Sequence, residues 1–229
     1  MTLQAFFSGF GWLDWAGLAW FAVCWFGFDM VIDHGLVDRT LLAEGHRYRV
    51  LWARQMLTRE NRIVDAALVG NLVHSVSFYA NTSIYVIAGL FAVLGALDQF
   101  ITTASELPFA RAVTREVLEV KLFLLLAMFV FAYFKFTWAL REFNVLSILM
   151  GAVPPKEADS QELEQFAQRT AAVNSSAGDD FNRGIRAYYF GMAVLAWMLS
   201  PWAFLVGTTV ITIVLARREF ASPVLRALQ

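Results

Sequence analysis

The chain has 229 residues, 59% of them hydrophobic and only 16% charged, with 21 Phe and eight Trp; soluble domains carry about 25% charge, so this is the composition of an integral membrane protein. The net charge of −1 is uninformative, because such charges sort by side of a membrane, and no nucleic-acid partner is expected. The single cysteine, Cys24, lies in an apolar run and excludes an intrachain disulfide, a Cys-based zinc site and a Cys-ligated cluster.

Residues 1–12 contain no Lys or Arg, and so lack the basic n-region of a signal peptide. Leu13 to Ile32 reads as the first span, anchored by Trp12 and Trp15. At its far end Asp29 and Asp33 share a face beside His34, placed to pair with arginines at headgroup depth. Residues 33–62 then carry six arginines and no lysine. Tyr48, Leu51, Trp52 and Gln55 recur at helical spacing, which predicts a short amphipathic helix along the membrane surface. Arginine suits anionic lipid headgroups, and an ordinary positive-inside loop explains the run equally well.

From Ala66 to Leu97 no residue is charged. Such a helix is roughly 48 Å long against a hydrocarbon core of about 30 Å, so it spans and protrudes. Asn71, His74, Ser75, Asn81, Thr82 and Tyr85 fall within an arc of about 120° on it. Lipid cannot hydrogen-bond a polar stripe, so the stripe is expected to face other helices or a cavity, as packing glue or as a solute path.

Asp98 to Glu116 is short and mixed, with Pro108 as a helix start. Val117 to Leu140 is the third span. Its Lys121 and Lys135 can snorkel outward or pair with carboxylates, Asp29 and Asp65 being candidates for Lys135. The helix should continue to Gly151, where Val153-Pro154-Pro155 stops it. Asp159 to Ala177 reads as a soluble helix with capping-box spacing at Asp159 and Glu162, ended by Asn174 to Gly178. Asp179 and Asp180 would cap the next helix. Thirty residues, Ala187 to Ala216, are too few to cross twice, so one tilted span kinked near Pro201 is expected. Gly184, Ala187 and Gly191 form a small-residue row suited to close helix contact.

The expectation is thus a single all-α domain over residues 1–229: a membrane four-helix bundle with spans at about 13–32, 66–97, 117–140 and 187–216. Its long helices extend into the cytoplasm, joined by short amphipathic interfacial helices. Segments 33–65 and 141–186 carry eleven Lys and Arg, against five on the other side. The positive-inside rule puts those segments in the cytoplasm and both termini outside a bacterial inner membrane.

RENRIVDAALVGNL followed by SFYANTSIYVIAGL, FKFTWALREFN followed by GAVPP, and FNRGIRAYYF followed by REFAS resemble the hallmark stretches of domain-of-unknown-function family 599. The resemblance covers about residues 15–222. It implies a four-span membrane protein of bacteria and plants, and it supplies no activity.

Those stretches bring Arg62, Asp65, Asn71, Lys135, Arg141, Asn144, Asn182, Arg183 and Arg186 near one level of the bundle. They form either a salt-bridge collar at the cytoplasmic helix ends or a pocket for a phosphorylated or carboxylated molecule; the collar is the preferred reading. No cofactor is expected, since His34, His46 and His74 lie at unmatched depths for bis-imidazole haem. Metal binding at Asp29, Asp33 and His34 lacks a second motif, and no P-loop, dinucleotide fingerprint, GxSxG or HExxH occurs. Three classes remain. A structural or accessory membrane protein, acting as a homo-oligomer or within a larger complex, leads. A transporter or channel follows, and a lipid-directed enzyme comes last.

Overall fold

The computed structural model describes residues 10–33, 39–105 and 114–228, with residues 33, 100 and 103–105 in backbone only. The Pro108 helix start and His34 therefore lie outside the described residues. All regular structure among the described residues is helical: α1 Trp12–Asp33, α2 Leu41–Thr58, α3 Ile63–Gly95, α4 Leu97–Ser105, α5 Arg115–Gly151, α6 Ser160–Leu199, α7 Pro201–Phe220 and α8 Pro223–Leu228. By length and apolar composition α1, α3 and α5 can each cross a membrane. The chain divides into two compact units.

The first unit comprises residues 1–36, 83–131 and 186–216. Contacts fix its helix directions. The Trp197 indole N–H donates to Asp14 at 2.7 Å, and Arg186 Nε lies 2.8 Å from Asp29, so α1 runs antiparallel to the end of α6. Likewise Lys121 meets Trp197 while Phe129 meets Tyr188, so α5 is also antiparallel to α6.

The expected single tilted span over 187–216 is not what forms. Gly207 packs directly on Ala193 and Ala196, and Trp197 stacks on Phe204 with centroids 4.8 Å apart. In one straight helix residues 193 and 207 would stand roughly 21 Å apart, so the chain reverses at Ser200. The reason is local. Pro201 has no N–H to continue α6 and is preorganised as a first helical residue, while Ser200 Oγ accepts from Ala203 N at 3.0 Å as an N-cap. Trp197 O loses its natural acceptor role toward residue 201, and Lys121 Nζ donates to it instead at 2.9 Å. Lys121 is 4% exposed; it caps a helix end and does not snorkel.

The second unit comprises residues 37–82, 132–185 and 217–229. Here α2 is capped twice: Thr40 Oγ1 accepts from Ala43 N at 3.0 Å and Glu219 Oε1 from Leu42 N at 2.7 Å. A carboxylate at this position also opposes the positive end of the helix dipole. The buried face of α2 is Ala53 and Met56, with Ala53 against Ala167 and Ala171 of α6, and Val50 and Leu57 packed around them. Tyr48 and Leu51, expected on its apolar face, are exposed. Small alanines on both helices permit this approach.

Nor does α6 break at Asn174 to Gly178: it is continuous for 40 residues. Asn174 and Ala177 are buried, and a Cβ on Gly178 would fall 2.1 Å from the Arg49 guanidinium. Gly178 thus serves close approach within a helix, and tertiary packing overrides its weak helix propensity. The small-residue row does lie at contacts with α5. Gly184 accepts the ring of Phe136, Gly191 that of Phe129, and Ala187 is 1% exposed.

Candidate functional site

The polar stripe of α3 lies largely on the exposed side of the helix, with Ser75 at a cavity. Asn71, His74, Ser75, Asn81 and Tyr85 are exposed and Thr82 is half-buried. The buried face is instead Asp65, Val69, Val76, Ala80, Ser83 and Leu90, an arc of about 80° on the opposite side. The hydroxyls of Ser75 and Thr82 donate to the carbonyls of Asn71 and Phe78 on their own helix, so they need no neighbour. The inward expectation assumed lipid along the whole helix. A 33-residue helix is longer than a bilayer, and small or β-branched residues make the closer packing face.

The collar assembles only in part. Asp180 is its centre, accepting from Lys135 Nζ at 2.9 Å and Arg183 Nη1 at 3.3 Å, while Lys135 also lies 5.0 Å from the Trp138 ring. The carboxylate found on Lys135 is thus Asp180, where Asp29 and Asp65 were the candidates. Asp29 pairs with Arg186. Asp65, fully buried, accepts from the Trp52 indole at 2.6 Å and from Arg59 rather than from Arg62, Arg141 or Arg183. It ties α3 to α2 and the turn between them, within the second unit. Arg141 and Asn144 are exposed on α5 and stand apart from these pairs, and Arg62 Nε is buried without a hydrogen bond. Asn182 lines a cavity instead.

That cavity, of about 250 Å³, lies in the second unit. Arg49 of α2 and Asn174, Gly178 and Asn182 of α6 form its polar wall; Trp52, Phe143 and Phe181 form an aromatic one. Ser75 and Leu72 of α3 complete it. Arg49 Nη1 is buried and makes no hydrogen bond. Burial lowers the Arg49 pKa, with Asp179 opposing the shift. Asp179 itself is engaged by His46 at 2.8 Å.

Sequence reasoning missed Asp180, Arg59, Trp52, Asp14 and Arg49. Asp180 and Arg183 stand three residues apart, which is a pair signal once the helix is known to be continuous. For Arg49 no sequence signal distinguishes it from the surrounding arginines.

The family described as "Protein of unknown function, DUF599" matches residues 16–224. The chain belongs to the DUF599 family. The match takes in both units and every DUF599 residue discussed above from Asp29 to Glu219, including Arg49, Asp65, Lys135 and Asp180. No curated protein and no solved structure matches the chain. Its membrane-compatible helices accord with an integral membrane protein.

Proposed function

We propose that this DUF599 protein is a multi-pass structural or accessory protein of the bacterial inner membrane, working as a homo-oligomer or within a larger complex. One observation carries the reading: the charged groups next to its apolar helices are spent on one another. Lys135 and Arg183 hold Asp180, Arg186 holds Asp29, Arg59 holds Asp65, and Lys121 caps a helix end. Groups consumed as clamps do not form a proton relay or solute path, and the α3 stripe faces away from the packed side of its helix.

The fold also favours five crossings over four, by α1, α3, α5, the end of α6, and α7. Since α7 runs beside α1 in the same direction, with Gly17 at Phe204 and Trp20 bonded to Thr209, the C-terminus leaves at the Asp29–Arg186 end. On this path residues 37–82, 132–185 and 217–229 would share a side and carry fourteen Lys and Arg, against Arg111 and Arg115 on the other. With Arg217, Arg218 and Arg226 then on the positive side, the charge balance supports an N-terminus outside and a C-terminus inside. Exposed Arg39, Arg47 and Arg54 then suit anionic lipid headgroups.

Cysteine labelling tests the topology in a Cys24-free background. Thr102→Cys should react with an impermeant thiol reagent on intact cells, whereas Ser160→Cys and Ala227→Cys should react only after lysis. Labelling of Ala227→Cys on intact cells refutes the reversal at Ser200 as a membrane hairpin. Native mass spectrometry after mild extraction should show a stoichiometric assembly. A monomer whose proteoliposomes carry a pH-dependent flux, lost in His74→Gln, would replace the accessory reading with transport.

A further inference from the structure

The second unit half-buries the guanidinium of Arg49, whose Nη1 is fully enclosed and makes no hydrogen bond. Arg49 makes no ion pair among the described residues. Glu44, five residues before it, lies 3.6 Å from Arg47, and Asp179, whose charge acts on Arg49, lies 2.8 Å from His46. An unpaired buried cation is unfavourable, and proteins ordinarily pair such groups. Yet two features hold Arg49 there. The guanidinium passes over the bare backbone of Gly178, where any Cβ would lie 2.1 Å from Nη2. Beside it stands Asn174, 4% exposed. Arg49 and Asn174 both line the 250 Å³ cavity, together with Asn182, Trp52 and Phe181.

These groups have one chemistry in common. A guanidinium offers a planar fork of donors that matches the oxygens of a carboxylate or phosphate, and amide NH₂ groups add further donors. Trp52 and Phe181 offer faces for an apolar body, and the volume is slightly below the usual range for small-molecule pockets. We propose that this cavity is a binding site for a small oxyanion, a carboxylate or phosphate on a compact apolar body, held by Arg49 with Asn174 and Asn182. The site is distinct from the Asp180 clamp, whose cations are already paired, and it stands whether the protein is an accessory factor or a transporter.

The test uses the full chain in detergent, with inorganic phosphate and benzoate as soluble probes and phosphatidate-containing vesicles, against phosphatidylcholine alone, as the lipid probe. Thermal unfolding and Trp52-dependent fluorescence report binding. At least one probe should stabilise the protein at millimolar concentration or in the vesicle arm. That effect should weaken by about tenfold or more in Arg49→Gln, and in Asn182→Ala, a half-exposed position that keeps the fold if the first variant does not. A response to soluble phosphate or benzoate identifies a free anion, and a response to phosphatidate alone identifies a lipid headgroup; both support the site when the variants lose them. No response to any probe, or one undiminished in a folded variant, overturns it.

Discussion

Gly184→Ala adds one methyl group at a tight contact between α5 and α6 in the second unit. An ideal Cβ there lies 2.4 Å from one carbon of the Phe136 ring and 2.8 Å from two others. Carbon atoms prefer about 3.5–4.0 Å, so the ring or the helix must move by roughly 1 Å. The ring has nowhere to go: Phe136 is fully buried, with Tyr79 at 5.6 Å and Phe181 at 5.8 Å. Overpacking of this kind costs about 1–3 kcal/mol, and replacing a helical glycine by alanine returns up to about 1 kcal/mol. With the full propensity gain, the net expectation is a loss of up to about 2 kcal/mol. Gly70→Ala is the control, since a Cβ there meets nothing within 4 Å and the propensity gain stands alone. Thermal unfolding of both variants in one detergent should order them Gly70→Ala, wild type, Gly184→Ala. Trimming the ring in a Gly184→Ala, Phe136→Leu double variant should cost less than the two changes summed. A Gly184→Ala protein as stable as Gly70→Ala would refute the close contact.

Asp180→Asn should destabilise strongly, because Lys135 and Asp180 are only 14% and 10% exposed and breaking a buried pair costs about 3–5 kcal/mol. Adding Lys135→Met should recover part of the loss in the same melt. Glu142 is the pH-sensitive group: burial raises its pKa above the ordinary 4.5, Ser176 opposes the shift by donating to Oε1 at 2.7 Å, and Asp180 adds to it. The folded state then holds this proton more tightly than the unfolded state. Its stabilising effect is complete below the ordinary carboxylate value and is lost as pH rises through the raised one. Glu142→Gln should flatten stability against pH above 4.5 and raise it near neutrality; an unchanged pH profile would contradict the burial of Glu142.

The spanning helices follow from composition and period alone. Long uncharged runs can satisfy their backbone in lipid only as helices, so α1, α3 and α5 were legible within a few residues of their ends. The stop at Val153-Pro154-Pro155 was equally local, because proline removes a donor wherever it sits. The close contact at Gly184 and Gly191 was legible too, since spacing alone puts small residues in a row. The reversal at Ser200 was not. A proline marks a break, but whether the chain bends or turns back depends on Gly207 finding Ala193 and Ala196. The same holds for polarity. Asn174 and Gly178 read as a helix end until Arg49 fills the space between α2 and α6, and the α3 stripe read as inward until Val69, Val76 and Ala80 took the packed face. Ion partners were the least legible, because Asp180, Asp29 and Asp65 each satisfy the same rule of charge for Lys135. Only the directions and depths of packed helices choose among them, and those are set by side-chain shape across distant stretches of chain.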